Sequence, residues 1–224
     1  MGPAGSVNDY GRQLTGAEIA AKAHREFVGG LWEEVGTLQF EFMKARGLLP
    51  GHRLLDVGCG ALRGGVHFIR YLDRGGYFGL DVNASLVEAG KRELGEPELS
   101  RKSPRLVVSD SFEVSRFATR FRFALAVSLF SHLPAGLVGL CLRNVGEVLE
   151  PGGRFYASYW EAPTSNHREP LRHPSGIVTY LDADSYHYSF EEMRVIAHAN
   201  GLAVERFGDW AHPRGQSMLV FGRP

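Results

Sequence analysis

The chain is poor in the residues that staple small folds. It has only two cysteines, Cys59 between glycines and Cys141 inside an expected helix, a spacing that excludes a disulfide framework and a zinc knuckle. No run approaches the roughly 18 apolar residues that cross a bilayer, so no membrane helix is expected. No basic start leads into an apolar stretch with a small-residue cleavage site, so no secretory signal is expected and a cytoplasmic location follows by default. Charge of one sign is lacking as well. Lys and Arg total 25, as do Asp and Glu, and nothing global attracts a polyanion such as nucleic acid. The local basic groups Arg101, Lys102, Arg105 and Arg116, Arg120, Arg122 fall around expected helix ends and loops, where they read as solvated faces. Internal repeats and low-complexity tracts are absent. These exclusions leave an ordinary domain whose 224 residues suffice to bury a core.

Within that domain the hydrophobic pattern changes character near residue 51. Phe27, Leu31, Val35, Leu38 and Phe42 fall near helical spacing, so residues 1–50 are expected to form a helical cap, weakened or split by Gly29, Gly30 and Gly36. From residue 51 to 224, short apolar runs alternate with helical stretches at βαβ spacing. Strands are expected at 53–57, 77–81, 105–109, 123–128 and 154–160. Helices are expected at 66–72, 84–94 and 135–149, with a short one at 112–119. Residues 161–188 break the rhythm with three prolines, three histidines and a cluster of tyrosines, and are expected to form an inserted loop or lid. Ser189 and Glu192 then make a capping box for another helix, which Asn200-Gly201 closes. The runs 202–207 and 217–221 have no helix between them and are expected to pair antiparallel.

The chemistry concentrates in Leu54-Leu55-Asp56-Val57-Gly58-Cys59-Gly60-Ala61-Leu62-Arg63-Gly64-Gly65. A strand there runs into a turn where missing side chains let the backbone approach a ligand, and the next helix offers its free N–H groups. Asp81 follows 21 residues after Gly60 at the end of the second strand, placed to accept hydrogen bonds from the two hydroxyls of a ribose.

This segment resembles the first motif of the class I S-adenosylmethionine-dependent methyltransferases, and four further segments match in order. Tyr77-Phe78-Gly79-Leu80-Asp81 is similar to the family's ribose-binding signature, and Ser109-Asp110-Ser111 to the end of its third strand. Ala126 to Pro134, with its His-Leu-Pro ending, resembles the fourth-strand segment, and Leu149-Glu150-Pro151-Gly152-Gly153-Arg154 the turn into strand five. The resemblance implies a Rossmann-like, doubly wound seven-stranded α/β sheet, mostly parallel with an antiparallel last strand and helices on both faces. It implies S-adenosylmethionine as cofactor and S-adenosylhomocysteine as product. Asp56 would lie near the methionyl amino group, Gly58, Cys59 and Gly60 against the cofactor through their backbones, Asp81 and Val82 at the ribose, and Asp110 and Ser111 near the adenine. Ser128 would meet the methionine moiety. Leu62 departs from the family, many of whose members have a third glycine there; Gly64 and Gly65 are expected to give the close helix approach, and Arg63 to reach the cofactor carboxylate.

Methyl transfer from a sulfonium needs a positioned acceptor, and a base only where the acceptor must lose a proton. His132, just beyond strand four, is the first candidate base or substrate contact, followed by Tyr159 and Glu161 at the exit of strand five. Each also has a bland alternative: loop hydrogen bonding for His132, packing for the aromatics of 156–188. His167, His173 and His187 offer metal-ligand types without a compact spacing, so no metal is expected. Tyr10, Trp32 and Phe40 are available to cover the cofactor. The expected partner is a small molecule methylated on oxygen or nitrogen, with no nucleic acid or membrane and with a homo-oligomer left open. Two rivals stand against this reading. A nicotinamide oxidoreductase is disfavoured because Arg63 occupies the third position of G-x-G-x-x-G, and a non-catalytic binding or scaffold protein of the same fold is kept because fold does not guarantee activity.

Overall fold

The computed structural model describes residues 10–224. Seven strands form one sheet in the order β3-β2-β1-β4-β5-β9-β8. They are β1 (Leu54–Val57), β2 (Tyr77–Asp81), β3 (Arg105–Val108), β4 (Phe121–Ala126), β5 (Leu149–Tyr159), β8 (Ala203–Asp209) and β9 (Ser217–Gly222). The first five run parallel, whereas β9 pairs antiparallel with both β5 and β8. The expected late hairpin therefore inserts β9 between β5 and the edge. Strand order reverses beside β1, and the C-terminal ends of β1 and β4 open the crevice where doubly wound sheets bind ligands.

Both faces of the sheet are covered, so its central strands are apolar throughout, with all four residues of β1 buried. Alternation along β1 sends Leu55 and Val57 to one face and Leu54 to the other. On the first face they meet α7 (Ala135–Val148) through Val138, Cys141 and Val145, and α8 (Phe190–Ala199) through Met193 and Ala197. On the other, Leu54 joins Phe42 and Met43 of α3 (Trp32–Ala45) and Val66, Phe68 and Ile69 of α4 (Gly65–Tyr71). Ser189 caps α8 in a reciprocal box with Glu192, and Gly201 follows the helix with φ +76°.

The amino-terminal region is divided more finely than its spacing predicts. Helices α1 (Gly16–Ala20) and α2 (His24–Phe27) precede α3, and the break before α3 falls at Gly29 (φ +93°) and Gly30 (φ +63°). Gly36 does not break α3. It sits buried inside the helix, where an added Cβ would stand 2.6 Å from the Arg63 carbonyl oxygen, so it lets α3 close onto the loop after β1. A further helix, α6 (Glu96–Lys102), follows α5 (Ala84–Leu94), and the expected helix at 112–119 is reduced to a 3₁₀ turn at Val114–Phe117. β5 begins at Leu149, five residues before the sequence pattern suggests, with an irregular register around Phe121 and Phe123 of β4.

Residues 161–188 leave the sheet after β5 and contain only a small ribbon, β6 (Leu171–Arg172) with β7 (Val178–Thr179). The excursion begins and ends at one place: Tyr188 N–H donates to Trp160 O (3.0 Å), and Ala162 N–H to Tyr188 O (2.9 Å). Its histidines are absorbed locally. His187 bridges Thr179 Oγ1 and the His167 carbonyl (3.0 and 2.8 Å), while the His173 ring lies on Trp160 with centroids 3.9 Å apart.

Candidate functional site

A cavity of about 440 Å³ opens over the C-terminal ends of β1, β2 and β4. That is within the range of sites for a small molecule or cofactor. Its floor is the loop from β1 to α4. Gly58 (φ +73°) and Gly60 (φ +51°) turn the chain there, and the N–H groups of Gly58 and Cys59 are anchored on Leu80 O at 2.8 and 3.0 Å. Leu62, where a glycine is usual in the resembling family, also has positive φ, +64°. A leucine held in the left-handed region costs about 1–2 kcal/mol. Its side chain is fully buried and fills the space an added Cβ on Gly65 or Gly90 would meet at 2.8 or 2.5 Å.

Two carboxylates face the cavity from the ends of β1 and β2. Asp81, at the end of β2, accepts from Gly60 N–H with Oδ2 (2.8 Å) and from Asn83 N–H with Oδ1 (2.9 Å), which locks β2 to the glycine loop. Burial holds its pKa above the usual carboxylate value despite these bonds. Asp56, ending β1, is buried and accepts a 2.6 Å hydrogen bond from the Tyr77 hydroxyl. Desolvation dominates here and pushes the Asp56 carboxyl up to about 7, with nearby Asp81 adding to the rise. The site therefore holds stored demand for a cation beside Asp56 and for hydrogen-bond donors beside Asp81.

Arg63 lines the same cavity, but its Nη1 donates to the carbonyls of Val28 (3.2 Å) and Gly30 (3.0 Å). It thus satisfies carbonyls exposed by the break between α2 and α3, and Arg214 Nη2 does the same for Gly29 O. Burial, with Arg214 nearby, lowers the Arg63 pKa to about 10, so it stays cationic at neutral pH.

Ser128, with φ +58° at the end of β4, is fixed by a buried network: its N–H donates to Ser158 Oγ (2.7 Å), which donates to Gln216 Oε1 (2.6 Å). Val82, 53% exposed, adds an apolar rim beside Asp81.

Of the residues singled out in the sequence, the structure gathers Asp56, Gly58, Cys59, Gly60, Arg63, Asp81, Val82, Ser128 and His132 around this one cavity. Four it does not. Asp110 is exposed beyond edge strand β3, and Ser111 lies outside the cavity lining; the turn they belong to is ordered by Ser109 Oγ, which accepts from Ser111 N–H and Glu113 N–H. Tyr159 points into the core on the α7–α8 face and is fully buried, its hydroxyl without a hydrogen-bond partner, because alternation along β5 turns it away from the cavity. Glu161 pairs with Arg206 at 2.6 Å in a separate shallow depression at the start of α8. As candidate catalytic groups, Tyr159 and Glu161 are thereby corrected to a packing residue and a surface ion pair. Of the three expected amino-terminal covers, Tyr10 lines the cavity. Trp32 packs on His24 and Arg25, and Phe40 on His67, Phe68 and Tyr71.

Val28, Gln39 and Asp184 also line the cavity and were not legible as site residues. Gln39 packs where an added Cβ on Gly64 would stand 2.1 Å from its Oε1. Asp184 comes from the 161–188 excursion, and its Oδ1 lies 2.6 Å from His132 Nδ1.

Residues 55–155 match a protein family described as a methyltransferase domain. The ubiquinone biosynthesis O-methyltransferase of Hahella chejuensis is 27% identical over 128 residues, which take in 56% of this chain and only half of that protein's length. Among solved structures, magnesium protoporphyrin IX methyltransferase from Synechocystis PCC 6803, determined with bound S-adenosylmethionine, superposes with a TM-score of 0.63 at 15% identity. The match covers 97% of this chain and 89% of that one. CalS10 from Micromonospora echinaspora, an amino pentose methyltransferase also determined with S-adenosylmethionine, gives 0.64 at 16% identity over 95% and 99% of the two chains. These identities are too low to carry more than the fold.

Proposed function

We propose that the chain is a class I S-adenosylmethionine-dependent methyltransferase that transfers a methyl group to an oxygen or nitrogen of a small-molecule acceptor, a reading supported by its fold and by the match of residues 55–155 to a methyltransferase domain. The observation that carries this reading is the pair of carboxylates Asp56 and Asp81, which end neighbouring strands β1 and β2, with Asp81 latched to Gly60 N–H over the glycine turn. The cavity chemistry fits the cofactor. Asp56 would pair with the methionyl ammonium, Arg63 would face the methionyl carboxylate, and Asp81 would accept from the ribose hydroxyls. Val82 and Leu86 would flank the base. When bound, S-adenosylmethionine supplies a methyl carbon already activated by its sulfonium. The protein then has to bind, orient and keep water out, and the work falls to the walls of the cavity.

An acceptor of small size is favoured by the enclosed crevice and by the balanced charge of the chain, 25 basic against 25 acidic residues, which supplies no field for a nucleic acid. No helix among the described residues is long and apolar enough to cross a membrane. The test is calorimetric titration with S-adenosylhomocysteine alongside NADH, repeated on Asp81→Ala. Binding of the first alone, weakened at least tenfold by the substitution, supports the reading. NADH binding would move the chain to oxidoreductase chemistry, and binding of neither would leave a non-catalytic protein of this fold.

A further inference from the structure

The acceptor end of the cavity holds a pair of groups that cofactor binding does not require. His132 ends a 3₁₀ turn (Phe130–His132) after β4, and its Nδ1 is 2.6 Å from Asp184 Oδ1. The two residues are 52 positions apart and both line the cavity. Each keeps 23% of its side chain exposed, so the pair sits at the wall of the crevice and not in the core.

The excursion that carries Asp184 is tied to the very turn that carries His132. Tyr186 N–H donates to Ser131 O at 2.7 Å, and the Tyr188 hydroxyl donates to Leu133 O. These two bonds bracket the histidine in sequence and fix the aspartate opposite it. The Tyr10 ring packs edge-on against the imidazole, with centroids 4.6 Å apart. Nε2 of His132 has no hydrogen-bond partner among the described residues. The other ionisable groups lining the cavity are Tyr10, Asp56, Cys59, Arg63 and Asp81.

We propose that His132 is the proton-accepting residue of the acceptor site and that Asp184 is its positioning residue. This rests on the methyltransferase reading above. A carboxylate on Nδ1 holds the ring as the Nδ1–H tautomer, leaves Nε2 as the basic nitrogen, and balances the imidazolium that forms. As the acceptor attacks, its O–H or N–H bond breaks and the proton passes to Nε2. The electron pair left on the acceptor atom forms the new bond to the methyl carbon, and the departing thioether keeps the pair of the bond that breaks. The imidazolium afterwards releases its proton to solvent. An acceptor of this kind carries a proton on its nucleophilic atom at neutral pH, as a phenolic or enolic hydroxyl or an ammonium group does. Thioethers and tertiary amines would have no use for the pair.

The test reads the imidazole itself. In the S-adenosylhomocysteine-bound protein with ¹⁵N-labelled histidine, long-range proton–nitrogen spectra report the imidazole tautomer, and His132 is assigned by the signal missing from His132→Gln. Neutral His132 is expected with its proton on Nδ1, facing Asp184; Asp184→Ala is expected to shift the tautomer towards Nε2–H, and Asp184→Glu to restore it at least in part. A proton on Nε2 in the native protein, or a tautomer unchanged in Asp184→Ala, would overturn the pair. Calorimetry on the same samples separates the two claims: failure to bind S-adenosylhomocysteine defeats the methyltransferase reading, whereas intact binding with an unchanged tautomer defeats this inference alone.

Discussion

Asp56 offers the sharpest test of the electrostatics. In the folded chain its carboxyl rises from an ordinary 3.8 to about 7, chiefly through burial. That displacement is worth about 4 kcal/mol. A carboxyl raised on folding is a cost: the folded chain holds the proton more tightly than the unfolded one. The penalty is therefore absent below about pH 4 and complete above about pH 7. A ligand that brings an ammonium group to Asp56 restores the charged form and must expel the proton. Affinity for S-adenosylhomocysteine should then strengthen about tenfold per pH unit below 7, so that binding at pH 5 is on the order of 100-fold weaker than at pH 7.5. Calorimetry at pH 6 in buffers of different ionisation enthalpy should count close to one proton released. Asp56→Asn should abolish the slope and weaken binding at pH 7.5 by about 10- to 100-fold, the worth of a hydrogen bond to a charged group. The same variant should melt several degrees higher than the native protein at pH 8, because the buried charge is gone. A native affinity that is flat from pH 5 to 7.5, or an unchanged slope in Asp56→Asn, would refute the argument.

Three further outcomes follow from other parts of the structure. Leu62→Gly relieves about 1–2 kcal/mol of left-handed strain but empties a fully buried site worth about 3–5 kcal/mol, so urea denaturation should show a net loss of about 1–4 kcal/mol. Glu93 is bound by Arg25 (2.7 and 2.8 Å) and His24 (2.8 Å), and its carboxyl is held down at about 2, first by the Arg25 hydrogen bonds. The stabilisation it provides, about 3 kcal/mol, is present above pH 4.5 and lost as pH falls towards 2, and in Glu93→Gln limited proteolysis at pH 7 should attack residues 24–31 faster. Tyr159→Phe should leave S-adenosylhomocysteine affinity unchanged, since the side chain packs on the α7–α8 face and does not line the cavity; a tenfold loss of affinity would return Tyr159 to the site.

What the sequence made legible is what its local spacing encodes. The glycine turn, the acid ending β1 and the acid ending β2 lie within one βαβ unit, whose return strand brings Asp81 to Gly60 N–H after 21 residues. Ser189 and Glu192 were equally local. What escaped depends on contacts between distant segments. Asp184 meets His132 through a return of the chain that no periodicity announces, and Arg63 meets carbonyls 33 and 35 residues earlier because Gly29 and Gly30 leave them exposed. Gly36 reads as a helix breaker until the Arg63 carbonyl is found 2.6 Å from where its side chain would be. Tyr159 and Glu161 were placed by proximity to a strand end, but a strand exit has two faces and a rim, and the crevice uses only one of them.

The excursion at 161–188 leaves and rejoins the sheet through one pair of backbone bonds between neighbours, Trp160 with Tyr188 and Tyr188 with Ala162. Exchanging the segment for one of different length therefore alters loop closure by well under about 1 kcal/mol per doubling, and the strands on either side keep their register. Asp56 and Asp81 lie more than 75 residues earlier, on β1 and β2. Replacing the excursion should thus remove the stretch of cavity wall that Asp184 supplies and leave the two acids on the opposite wall where they stand.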